Sequence, residues 1–149
     1  MKYGFDYIDG RDVPQTVIED DFTIQGKHDG TVHVENGTLK IQGELHGTLD
    51  VQSGAKAIII GKQYGTVSVA NNAEIVIFGE LHGTTTVSVH GTAVVEAHGK
   101  LAGTLSNNGT VIVRGVFGGA QSGHGELILE ENGYIKQPVI KNGMNYYEW

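Results

Sequence analysis

GELHGTLDVQSGAKAIIIGKQYGTVSVANNAEIVIFGELHGTTTV, residues 43–87, decides the fold. Three times in this stretch a pair of glycines four residues apart is followed directly by threonine: Gly43/Gly47, Gly61/Gly65 and Gly79/Gly83. Working outward, the same spacing recurs at Gly26/Gly30 before it and at Gly99/Gly103 and Gly115/Gly119 after it. Successive copies lie 17, 18, 18, 20 and 16 residues apart. A period of this length is the signature of a solenoid in which each copy is one turn. The 20 and the 16 offset one another, as expected if TTTVSV at 84–89 carries two extra residues and TLSNNG at 104–109 omits two.

Within each copy the apolar residues alternate, as strands buried on one face require. Leu45, then Leu49 and Val51, then Ala57 and Ile59 give three short strands per turn. Aligning the copies predicts inward columns Val32, Leu49, Val67, Thr85, Leu105 and Ile24, Ile41, Ile59, Ile77, Ala97, Val113. The inward steps do not follow the six-residue rhythm of left-handed hexapeptide solenoids. The expected fold is therefore all-β: a single-domain, right-handed parallel β-helix of six to seven turns with capped ends. Residues 1–21 read as an N-terminal cap segment, 22–135 as the solenoid, and 136–149 as a C-terminal aromatic cap containing Pro138, Tyr146, Tyr147 and Trp149. Caps are expected because the terminal rungs of a solenoid would otherwise expose unpaired sheet edges.

The residue after the first glycine of each pair reads Lys27, Glu44, Lys62, Glu80, Lys100. On rungs about 4.8 Å apart, each charge would lie between two of opposite sign. In-register pairs of this kind are worth roughly 0.2–1 kcal/mol each, and like charges would repel. A second outer column reads Asp29, His46, Tyr64, His82, beside a threonine column Thr31, Thr48, Thr66, Thr84, Thr104 that suits a β-ladder without further role.

The chain has 149 residues and no cysteine, which removes disulfides, thiolate catalysis and cysteine-based metal sites. It has no N-terminal apolar core of a secretion signal and no membrane-length apolar run, so the expected location is cytoplasmic, with no membrane span and room only for peripheral membrane association. A formal charge of −7 argues against nucleic acid as a partner and would suit a basic protein. His46 and His82 fall two rungs apart, about 9–10 Å, too far to share a metal. His28 shares a column with Leu45, Gln63, Leu81, Leu101 and Phe117, and reads as an end-of-core residue. The outer acids are spread along a ladder rather than paired across one bond as glycoside hydrolysis needs. No nucleophile elbow, phosphate loop or HExxH motif occurs. The sequence thus predicts no catalytic residue, no cofactor and no metal.

The 43–87 stretch resembles the G-x-V-x-G-x-I-x-A-x-x-V-x-V-x-G turns of bactofilins, polymer-forming bacterial cytoskeletal proteins, and the likeness covers roughly residues 22–119. The resemblance implies a right-handed, three-sided β-helix that polymerises end to end without nucleotide and serves as a membrane-proximal scaffold.

One surface feature points to association. On the strand before each repeat glycine, the outward residues are Thr23 and Gln25, then Lys40 and Gln42, then Ile58 and Ile60, then Val76 and Phe78. The same alignment returns to polar residues at Glu96 and His98, with Ile112 and Arg114 following. Ile58, Ile60, Val76 and Phe78 form a contiguous apolar patch of the kind that marks an interaction site. A protein partner, a second copy, or the chain's own aromatic tail would cover it. Two functions fit: a self-associating, bactofilin-like scaffold, or a small acidic immunity protein that neutralises a basic toxin such as a nuclease.

Overall fold

The computed structural model describes residues 4–136, 139–141 and 143–146. Among them there is no helix, and the chain winds through about seven turns of a right-handed parallel β-solenoid. One face is a seven-stranded parallel sheet: Phe22–Ile24, Thr38–Ile41, Lys56–Ile59, Glu74–Ile77, Thr92–Val95, Thr110–Val113 and Glu126–Leu129, each bonded to its neighbours in chain order. The other two faces belong to one wrapped sheet. In the early turns each face has its own short strand, such as Lys62–Tyr64 and Val67–Val69; in Glu80–Val87 and Lys100–Asn107 a single strand runs round the corner through Gly83 and Gly103. Parallel stacking begins with Thr16–Ile18, which pairs with Val32–Val34. Before it, Phe5–Ile8 and Arg11–Pro14 form an antiparallel hairpin closed by Asp9 and Gly10, both at positive φ as a tight two-residue hairpin turn requires. The hairpin is tied to the second turn: Thr31 donates to the Asp6 carboxylate through its backbone N–H at 2.6 Å and its hydroxyl at 2.9 Å.

The period of about 18 arises from the two glycines of each repeat, for different reasons. The second glycine of each pair lies at a corner with positive φ, 147° at Gly47, 120° at Gly65 and 123° at Gly83, where a side chain would be strained. The first glycine needs no special dihedral. A Cβ at Gly61 would instead penetrate the carbonyl oxygen of Gly43 one rung below, and a Cβ at Gly79 that of Gly61. Backbone therefore stacks directly on backbone at that corner.

The interior is built of columns. Val32, Leu49, Val67, Thr85 and Leu105 pair in register as expected. The second column is corrected: it runs Ile24, Ile41, Ile59, Ile77, Val95, Val113, with Val95 in place of Ala97. The two extra residues lie in the corner at 96–99, outside any strand, and not in 84–89, because Val67–Val69 pairs with Thr85–Val87 at the ordinary offset of 18. The expected omission at 104–109 is present as a short corner after Asn107. Asn107 makes that corner feasible. It occupies the inward position above Val87, where its Oδ1 accepts from Gly109 N at 3.0 Å and its Nδ2 donates to the Glu126 carbonyl at 2.8 Å.

Among the described residues two other polar side chains are fully buried. Gln63 Nε2 donates to the Gly47 carbonyl at 2.9 Å, while Gln63 Oε1 and Thr85 Oγ1 have no hydrogen-bond partner. Such groups carry a desolvation cost of about 1–3 kcal/mol. The C-terminal strands Val139–Lys141 and Met144–Tyr146 pair antiparallel, whereas Pro138, Tyr147 and Trp149 of the expected aromatic cap lie outside the described residues.

Two stability measurements check this account. Gly61→Ala is expected to lower unfolding free energy by at least ~3 kcal/mol. Gly26→Ala, at the equivalent corner of the first turn where a Cβ meets nothing within 4 Å, should be close to neutral in the same denaturation experiment. Thr85→Val keeps the shape of the side chain and removes the orphaned hydroxyl, so it should raise stability by about 1 kcal/mol; a loss would mean that the hydroxyl is satisfied in solution.

Candidate functional site

The outward face of the seven-stranded sheet carries three columns of side chains, because alternate residues of each strand point away from the core. The central column reads Thr23, Lys40, Ile58, Val76, Val94, Ile112, Ile128. Here the structure changes the reading of the sequence. With the extra residues placed at 96–99, the rung after Val76 presents Val94 rather than Glu96, and the apolar column runs through five rungs without a polar break. Glu96 moves into the column of Ile60 and Phe78, its N–H bonded to the Ile77 carbonyl as that of Phe78 is bonded to Ile59. His98 falls in the wide corner and is exposed.

Ile58, Ile60, Val76 and Phe78 are thus brought together on one face. Ile60 and Phe78 are 46% and 51% exposed, while Val76, hemmed in by its column neighbours, is only 9% exposed. Sequence reasoning missed Val94, Ile112 and Ile128 as members of the same stripe. The alternation Thr92, Val94 against Ala93, Val95 held the signal, and the corner glycine spacing concealed it.

Charges flank the stripe. On one side Lys56 Nζ meets Glu74 Oε1 at 3.0 Å across adjacent rungs. On the other, Arg114 bridges two acids, with Nη1 at 2.8 Å from Glu96 and Nε at 3.0 Å from Glu130. These acids raise the Arg114 pKa, the Glu130 hydrogen bond most of all.

A second candidate surface lies on the neighbouring face. Lys27, Glu44, Lys62, Glu80 and Lys100 stack in register as one ladder. The carboxylates take histidines two residues along as their close partners: His46 Nε2 donates to Glu44 at 3.1 Å, and His82 Nε2 to Glu80 at 2.8 Å. Tyr64 fills the rung between those histidines and stacks on both, with ring centroids 4.7 Å from His46 and 5.3 Å from His82. The gap that would separate two metal ligands is occupied by an aromatic ring. The His82 hydrogen bond holds the Glu80 carboxyl below its ordinary value, with the charges of Lys62 and Lys100 contributing.

Two other histidines are structural. His28 is half-buried at the end of its column, 3.4 Å from Thr16 Oγ1. His33 is buried between turns, with Nδ1 donating to Asp50 at 2.8 Å and Nε2 2.7 Å from Gln15 Oε1, and so clips the first rung to the third. Among the described residues no group of three or more histidines and acids is placed to hold a metal ion, and no helix is long and apolar enough to cross a membrane.

These features define a parallel β-solenoid with one apolar sheet face and one charged, aromatic-laddered face. Compared with family models, with curated proteins and with solved structures, the chain matches none.

The Glu80 arrangement has a pH signature. Because the folded-state pKa is lowered, its contribution to stability is complete above the unfolded value of about 4.3 and is lost as pH falls through the folded value. Carboxyl titration followed by NMR should place Glu80 below an ordinary glutamate, and His82→Ala should move its midpoint upward.

Proposed function

We propose that this chain is a non-catalytic assembly module that works by associating with further copies of itself, a bactofilin-like scaffold. The observation that supports the reading is the apolar column on the seven-stranded sheet. A contiguous apolar stripe rimmed by charge is the usual mark of a protein contact. The solenoid behind it is rigid, so ordering costs on association are small. The bactofilin resemblance in the repeat glycines adds the expectation of end-to-end growth, in which Phe22–Ile24 of one copy would meet Glu126–Leu129 of the next, the two end strands of this sheet among the described residues. Phe22 and Leu129, the inward residues at those two ends, are 54% and 49% exposed.

A second reading, an acidic inhibitor of a basic toxin, is favoured by the formal charge of −7. It predicts a monomer that co-purifies with a basic nuclease encoded beside its gene.

Sedimentation and negative-stain microscopy over a range of protein and salt concentrations separate the two. The scaffold reading expects salt-resistant oligomers or filaments, with Phe78→Lys reducing lateral association. A monodisperse monomer up to about millimolar concentration would remove self-association and leave the inhibitor.

A further inference from the structure

The columns on the seven-stranded face specify how two copies would meet. We propose that two chains pair face to face through this sheet with their solenoid axes antiparallel, about a twofold axis that passes over Val94. This deepens the self-association reading and rests on it.

The apolar column spans five rungs, Ile58, Val76, Val94, Ile112 and Ile128, and Val94 is its midpoint. A twofold axis along the strand direction leaves each column facing itself with the order of rungs reversed. Centred on Val94, it sets Val94 on Val94, Val76 on Ile112 and Ile58 on Ile128, so every apolar rung meets an apolar rung. Lys40, which ends the column, falls beyond the partner's last apolar rung. A slip of one rung would press Lys40 onto Ile128, burying a charge against hydrocarbon.

The flanking columns agree with the same axis at every facing pair but one, Ile60, which lies two rungs from the midpoint and faces the partner's Glu130. Lys56 and Glu126 lie two rungs either side of the midpoint in one column, so each lysine faces the partner's glutamate. In the other column Phe78 and Arg114 lie one rung either side of Glu96, which brings each guanidinium over the partner's ring, a favourable cation–π placement. Glu96 faces its own copy across the axis, and each of the two is already bound by the Arg114 of its own chain at 2.8 Å. The parallel alternative, with the twofold along the solenoid axis, exchanges the flanking columns rung by rung. It would set Lys56 against Ile60, Glu74 against Phe78 and Glu126 against Glu130. Charge complementarity selects the antiparallel pair.

Five rungs of four-residue strands offer a footprint of roughly 300 Å² per copy. That is small beside the roughly 800 Å² per partner of a standard stable interface, so the pair exchanges with monomer and needs a covalent trap to be counted.

The chain contains no cysteine, so single introduced cysteines report the geometry cleanly. Val94→Cys should give a covalent dimer with a bismaleimide linker that spans about 10 Å, the separation of stacked sheets and too far for a direct disulfide. Ile58→Cys alone and Ile128→Cys alone should not, but their mixture should give the cross-linked heterodimer. Lys56→Glu should reduce Val94→Cys cross-linking several-fold, and adding Glu126→Lys in the same chain should restore it. Covalent dimers of Ile58→Cys alone would mean parallel pairing and overturn the proposal. Filaments with no cross-link at any of these positions would also overturn it while leaving self-association by the solenoid ends intact. A monomer that no cysteine cross-links would remove both.

Discussion

Backbone stacked on backbone at the glycine corners is the constraint from which the rest of the structure follows. At the first corner of every repeat after the one at Gly26 the chain lies against a carbonyl of the rung beneath, with no room for a Cβ, and four residues later it turns at positive φ. Those two requirements fix where each turn bends, hence which residues of the strands between point inward. The aliphatic columns, the alternating charge ladder and the apolar stripe are consequences of that registration. Parallel rungs then satisfy their peptide groups between neighbouring turns, and the core closes without any helix among the described residues.

Much of this was legible in the glycine spacing, because steric exclusion of a Cβ leaves a mark in the sequence that few other constraints leave. The columns through Val32 and through Lys27 were readable for the same reason: both sit within a few residues of a repeat glycine. The column through Ile77 was misread one rung later. Corner length is not controlled by the same sterics, and an insertion at 96–99 leaves the alternation of Thr92–Val95 intact while shifting the next glycine. Asn107 was invisible as a structural device. An inward asparagine resembles a loop residue until its two hydrogen bonds to Gly109 and Glu126 are seen.

The candidate surface was legible in kind and misjudged in extent. Ile58, Ile60, Val76 and Phe78 were identified by outward parity, but the stripe continues through Val94, Ile112 and Ile128. Its added length changes the character of the face. A four-residue patch has no internal direction, whereas a column of five rungs with unlike charges placed symmetrically about its midpoint carries an orientation. The histidines show the converse. Spacing set His46 and His82 two rungs apart without giving either a role, and the geometry assigns them to a ring stack through Tyr64, and His33 to a clip between turns.

The corner at 96–99 carries a lesson about how such a chain can change over evolutionary time. Strand pairing keeps Val95 over Ile77 and Leu101 over Leu81 although two more residues lie between those strands than in the turn below. Column membership is therefore set by the ladder rather than by counting along the chain. Each corner can lengthen or shorten on its own, and loops carrying new recognition chemistry can be inserted at 96–99 without repacking the interior.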